Sequence, residues 1–321
     1  MMDLAKIFDE KNITESTKNL YIKNLTRLNG GIVKNTKFLS DEKAIEEKLL
    51  QYKPNTRRTY VIAIVSLLKA LKEKEKGKKH QKMYDKYYTI MDDLNKNLKT
   101  NNEKSEKEKQ NWISQEAVLE RLNELKAILP NLGKKITEEQ FYELQKLMVL
   151  SLYALQKPRR NKDYQDMLVH KKKPVSFHFA YDIAGNKVDM LEPTKHNILD
   201  LKGNQFIFTN YKTQKKFSNQ EIAINPDLRE ILDVYLKHHP TFKKSKEPVQ
   251  LLVNFVGQAY ENNNDITRLL YKIFNKKIGV NMLRHIFLTD KYKTVLNEMK
   301  DDAKAMGTST NMVEDQYVKE G

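Results

Sequence analysis

Residues 99–111, KTNNEKSEKEKQN, carry no large apolar side chain, so no continuous core can run through them. They divide a chain of 321 residues, long enough for two hydrophobic cores, into a shorter first part and a longer second part. The expected organisation is a helical domain at 1–98, a linker at 99–111 and a second domain at 112–321.

The first part has helical spacing throughout. Thr14 or Ser16 caps a helix through Leu20, Leu25 and Leu28 that Gly30-Gly31 stops. Ser40 caps a second helix, with Asp41 and Glu42 at its positive end and Ile45, Leu49 and Leu50 before Pro54. Asn55 then opens NTRRTYVIAIVSLLKALKEK, apolar on most sides and so the central core helix. Residues 73–82 break the pattern, and Met83, Tyr84, Tyr87, Tyr88, Met91 and Leu94 resume it, a spacing that suits core packing.

The second part mixes helices with strands. Ser114 precedes a helix through Val118, Leu122 and Leu125, and Thr137-Glu138-Glu139-Gln140 forms a capping box for FYELQKLMVLSLYALQ, which Pro158 ends. Arg159-Arg160-Asn161-Lys162-Asp163-Tyr164 follows at the break, where a helix N-terminus would add donors for an anion. Residues 169–196 and 238–262 show no clear period. Between them lie three short antiparallel strands, Asn197–Leu201, Gln205–Lys212 and Glu221–Ile224, with Lys212 at the tip of a hairpin able to enter a DNA groove. Asn225-Pro226 starts a further helix, and Asp265 caps ITRLLYKIF. The fold class expected is mainly α with a small antiparallel β-sheet.

Charge narrows the partner. The 58 Lys and Arg against 42 Asp and Glu give a net charge of +16, which favours a polyanion and so double-stranded DNA. No apolar run is long enough to span a bilayer, and MMDLAKIFDEKN lacks the apolar segment of a secretory signal, so the expectation is an intracellular protein with no membrane partner. With no cysteine and no clustered histidines, thiolate zinc sites, disulfides and cysteine nucleophiles are excluded, and neither a metal nor another cofactor is expected.

The last forty residues hold the chemistry. Asn281-Met282-Leu283-Arg284-His285 opens a helical run through Tyr292, Met306-Gly307-Thr308-Ser309 makes a tight turn, and Tyr317 lies nine positions past Thr308 (317 − 308). A phenol, with a pKa of about 10, attacks a phosphodiester only where cations stabilise the charge growing on the phosphoryl oxygens. Arginine does this with a planar, permanently charged fork.

In order and spacing these segments resemble the tyrosine recombinases, the phage-integrase family, with residues 112–321 resembling its catalytic domain and 1–98 its helical core-binding domain. Arg160 with Asp163 and Tyr164 is similar to the family's first box, Lys212 in Tyr-Lys-Thr to its hairpin lysine, Asn281 to Arg284 to its second box, and Thr308 with Tyr317 to its third. The tail LTDKYKTVLNEMKDDAKAMG further resembles the branch carried by large DNA viruses and their satellite elements, for which nucleus, virus factory or cytoplasm would be the compartment.

The resemblance implies a site of Arg160, Lys212, Asn281, Arg284, Thr308 and Tyr317. Tyr317 would form a 3′-phosphotyrosyl link and Lys212 would protonate the leaving 5′-oxygen, with no cofactor and with a homo-oligomer, a tetramer, on DNA. Asn281 and Thr308 depart from the family's usual residues, and neither supplies a proton as an imidazolium would; slower chemistry is expected. Only Val318 to Gly321 follow the tyrosine, where many members carry another helix. A type IB topoisomerase and a noncatalytic DNA-binding protein on the same fold are the alternatives. His285 would pack beside the site.

Overall fold

The computed structural model describes residues 2–75, 80–99, 104–171, 177–181, 187–191, 196–260, 262 and 264–318. The chain forms two compact units, residues 1–104 and 105–321.

The first unit is helical: α1 (Leu4–Asp9), α2 (Glu15–Asn29), α3 (Glu42–Leu50), α4 (Pro54–Glu75) and α5 (Gln81–Lys99). Thr14 caps α2 by accepting from the Thr17 N–H at 3.3 Å, and Gly30 ends it with φ at 77°, a left-handed conformation that costs glycine little. Asp41, not Ser40, caps α3, its carboxylate 3.1 Å from the Ala44 N–H. A proline fits the first helical position, so α4 starts one residue before Asn55. Val61, Ala63, Ile64, Leu67 and Leu68 of α4 are fully buried, which makes it the central helix. Tyr87 enters this core and donates to the Leu39 carbonyl at 3.0 Å, whereas Tyr84 and Tyr88 stack on each other and Tyr88 is exposed. Residues 76–79 of the expected break and 100–103 of the expected linker lie outside the described residues.

The second unit opens inside that linker with α6 (Glu106–Asn111). Ser105 and Glu108 close a full capping box on it, so its charged composition did not prevent a helical turn. Then come α7 (Gln115–Lys126), α8 (Glu138–Ala154), α9 (Asn161–Gln165), β1 (Leu168–His170), β2 (Phe177–Tyr181), β3 (Lys187–Leu191), β4 (Ile198–Asp200), β5 (Gln205–Phe208), α10 (Gln214–Phe217) and β6 (Gln220–Ala223). The remainder is α11 (Pro226–His238), β7 (Val249–Gln250), α12 (Asp265–Phe274), α13 (Val280–Ala305), α14 (Thr310–Met312) and one wide π-type turn, Val313–Tyr317.

The expected capping box at Thr137 and Gln140 opens α8, whose Leu144, Leu147, Met148, Val149, Leu150 and Leu152 are completely buried. The core of this unit is built around that helix. Asn264, not Asp265, occupies the N-cap of α12.

The five-stranded sheet runs β6-β5-β4-β1-β7 and is mixed, which corrects the expected antiparallel sheet. β4, β5 and β6 pair antiparallel as the sequence suggests, but β1 lies parallel to β4, with Leu168 opposite Ile198, and β7 is antiparallel to β1. Strands of three and two residues are too short to show alternation. A parallel neighbour also needs a long crossover, here the stretch that holds the separate β2–β3 hairpin.

Candidate functional site

Arg159 and Arg160 sit where the buried α8 gives way to α9, with Arg160 in extended backbone as the N-cap. Their side chains have different fates. Arg159 is fully engaged: its Nε donates to Asp163 Oδ2 at 2.9 Å, and its Nη1 donates to Gln220 Oε1 at 2.7 Å. Its guanidinium carbon lies 3.7 Å from the Phe208 ring centre and 4.8 Å from that of Tyr211. Arg160 is half-buried and makes no side-chain hydrogen bond or ion pair among the described residues.

Arg284 joins them from the second turn of α13. Val280, Met282, Leu283 and Ile286 are buried and anchor this end of the helix. Gly279 precedes it, and a Cβ there would come within 3.3 Å of the Thr267 methyl on α12. Like Arg160, the half-buried Arg284 has no hydrogen-bonding or ion-pairing partner among the described residues. Burial first, and then the neighbouring Arg160 charge, lower its pKa, while Asp163 opposes them. Three guanidinium groups thus share one carboxylate, and Arg159 takes it.

Asp163 is buried. Desolvation pushes its carboxyl pKa up, against the pull of Arg159. Beneath the cations lies an aromatic floor: Tyr164 meets Tyr153, Phe206 and Phe208 edge-on, with ring centres 5.7–5.9 Å apart. Tyr153 is 2 % exposed and its hydroxyl has no hydrogen-bond partner among the described residues; burial raises its pKa well above the usual phenol value, so it stays protonated. Asn197 ties the floor together by donating to the Asp163 carbonyl at 2.9 Å and accepting from the Thr209 and Asn210 N–H groups at 3.1 and 2.9 Å. That capture ends β5 at Phe208 and not at Lys212, so Lys212 sits in the following turn, exposed, one residue beyond Tyr211. It has no ion-pair partner among the described residues.

Asn281 is exposed on the first turn of α13, three residues before Arg284 and therefore on its face. α9 is a single turn, so its dipole adds little for an anion, and Asn161 at its start donates to Thr267 Oγ1 at 3.0 Å. His285 points elsewhere, its Nδ1 3.2 Å from Glu108 Oε1; the Ser105 hydroxyl and N–H, and to a lesser degree this contact, hold the Glu108 carboxyl below its usual range.

Thr308 and Tyr317 are not brought to the arginines. The helix expected to run through Tyr292 continues to Ala305, and from Arg284 to its end are 21 residues (305 − 284), about 32 Å of rise at about 1.5 Å each. Residues 290–298 are exposed all round. Gly307, with φ at 66°, then closes the helix: its N–H donates to the Lys304 carbonyl at 3.1 Å and the Thr308 N–H to the Ala303 carbonyl at 2.9 Å, a Schellman turn. Tyr317 ends the π-type turn with 57 % of its surface exposed.

Sequence reasoning set Arg159 aside in favour of Arg160, since Arg159 would put Lys162 three residues on where an acid is wanted, and it gave no role to Asn197, Gln220 or Tyr153. The one available clue was Arg159 four residues before Asp163; the others act through pairings that only the sheet creates. Among the described residues no cluster of His, Asp and Glu could hold a metal ion, and no helix is long and apolar enough to cross a membrane. The chain matches no family model, and no curated protein and no solved structure matches it.

Proposed function

We propose that this chain is a DNA strand transferase that works as tyrosine recombinases do, cleaving and rejoining site-specific duplexes through a 3′-phosphotyrosyl intermediate. The observation that carries this reading is the pair Arg160 and Arg284, drawn together from positions 124 residues apart (284 − 160), half-buried and without an ion pair of their own among the described residues. Like charges held near enough to act on each other cost stability, and a phosphodiester between them would remove that cost.

In this mechanism Arg160 and Arg284 bind the two nonbridging oxygens, and Asn281 donates a hydrogen bond from the same helical face. The Tyr317 oxygen attacks phosphorus and its proton passes to solvent. The bond from phosphorus to O5′ breaks, its electron pair leaves with O5′, and the Lys212 ammonium supplies the proton that makes a 5′-hydroxyl. A second 5′-hydroxyl reverses the steps, so neither a nucleotide nor a metal is needed. Tyr317 arrives on the arm formed by the outer half of α13, either from its own chain or from another copy in a homo-oligomer, a tetramer for strand exchange. Thr308 travels with it.

The exposed, distant Tyr317 favours a second reading, a noncatalytic DNA-binding protein that retains the phosphate site. A type IB topoisomerase would share the adduct but reseal the same strand. Incubation with nicked AT-rich duplexes and a randomised duplex pool, followed by denaturing gels, separates these. A covalent adduct abolished by Tyr317→Phe is expected; duplex binding without any adduct would favour the noncatalytic reading. Recombinant joints as opposed to relaxed circles then distinguish recombinase from topoisomerase.

A further inference from the structure

We propose that Arg159 is a positioning residue that holds the Lys212 loop against the phosphate site, an inference that rests on the strand-transfer reading above. The loop spans the residues between Phe208, at the end of β5, and Gln220, at the start of β6. Arg159 touches both of its ends, Phe208 by stacking at 3.7 Å and Gln220 by a 2.7 Å hydrogen bond, and also Tyr211 within it at 4.8 Å. Tyr211 in turn braces the loop's far side by donating to the Ser218 carbonyl at 2.7 Å. Lys212 itself is exposed and forms no ion pair among the described residues, so the loop is located through its neighbour.

The other end of the anchor is Asp163, on the same single turn of helix that Arg160 caps. One guanidinium therefore links the anion-binding arginine to the proton-donating lysine. Lysine could not replace it, because the link uses a planar fork in two directions and a flat face for stacking.

The chemistry supplies a readout specific to this role. When sulfur replaces the bridging 5′-oxygen, the leaving group is a thiolate whose conjugate acid has a pKa of about 8.5, and it departs without a proton. Misplacing Lys212 should then cost nothing, whereas damage to the phosphate cradle should cost as much as before. The test takes a duplex selected from a randomised pool by adduct formation with the wild-type chain, made with 5′-oxygen or 5′-sulfur at the scissile phosphate, and measures single-turnover adduct formation.

Arg159→Lys, Tyr211→Ala and Lys212→Ala are each expected to slow the oxygen substrate by on the order of 100-fold and to react at close to the wild-type rate with sulfur. Arg284→Ala should be slow with both. Tyr211→Ala leaves the buried Arg159 and Asp163 pair intact, so the test survives if the Arg159 variant fails to fold. Equal loss on both substrates in Arg159→Lys or Tyr211→Ala overturns the inference, as does a wild-type oxygen rate in Tyr211→Ala. Lack of sulfur rescue in Lys212→Ala would remove the lysine from the mechanism and the inference with it. If the wild-type chain selects no duplex at all, the strand-transfer reading itself fails.

Discussion

Asp163 shows how much one buried side chain decides in this unit. Its carboxylate, 4 % exposed, is the only acid among the described residues that acts on Arg159, Arg160 and Arg284 together, and it holds Arg159 at 2.9 Å. Removing one partner of such a pair leaves a buried uncompensated charge, so Asp163→Ala should lower the unfolding free energy by about 3–5 kcal/mol in urea titration. Asp163→Asn keeps an acceptor for Arg159 and should cost clearly less; equal losses would mean that charge alone matters. His239 makes a second residue-level prediction. Its Nε2 faces the Gln250 carbonyl at 3.0 Å and its Nδ1 accepts from the Thr241 and Phe242 N–H groups at 3.3 and 3.2 Å, an arrangement for the neutral ring. Burial lowers its pKa from 6.5 to about 4. The unfolded chain therefore binds this proton first, and stability present above pH 6.5 is lost as pH falls towards 4, by about 3 kcal/mol in all. Urea midpoints measured across that window should drop in the wild type and flatten in His239→Gln; a window that is no flatter in the variant would show that the ring is not the group responsible.

At the level of elements, what the sequence revealed depended on length and on locality. Long helices with their own caps were legible: Thr14 before α2, Ser114 before α7, Thr137 and Gln140 at α8, and Asn225 before α11 all act as expected. The three-residue β1 was not, since it has too few positions to show a period and its parallel partner β4 is set by tertiary pairing. The candidate site divides the same way. Arg160 and Arg284 could be singled out by type and spacing, but the full engagement of Arg159 depends on Phe208 and Gln220 arriving across the sheet. α13 holds the largest surprise, because residues 290–298 carry the periodicity of a helix yet face solvent on every side. A single helix without packing is marginal in water. Hydrogen exchange should therefore find the amides around Leu283 and Ile286 strongly protected and those of 290–298 exchanging much faster. Equal protection along α13 would mean that the outer half is covered in solution.

For the molecule as a whole, two separately packed units and a net charge of +16 suit the proposed strand transferase, whose affinity for duplex DNA would be shared over much of its surface. Phosphate contacts of that kind survive the loss of any one cation, so binding and chemistry should separate in the right variants. Arg160 and Arg284 are where they should part. The most direct measurement is single-turnover adduct formation by Arg160→Ala and Arg284→Ala, run beside duplex binding at one fixed salt concentration. The account predicts a rate at least about 100-fold lower in each variant, the scale seen when a transition-state charge donor is removed, with binding only modestly weaker. An adduct formed at the wild-type rate by either variant would contradict it, because Arg160 and Arg284 would then not be the groups that hold the phosphate.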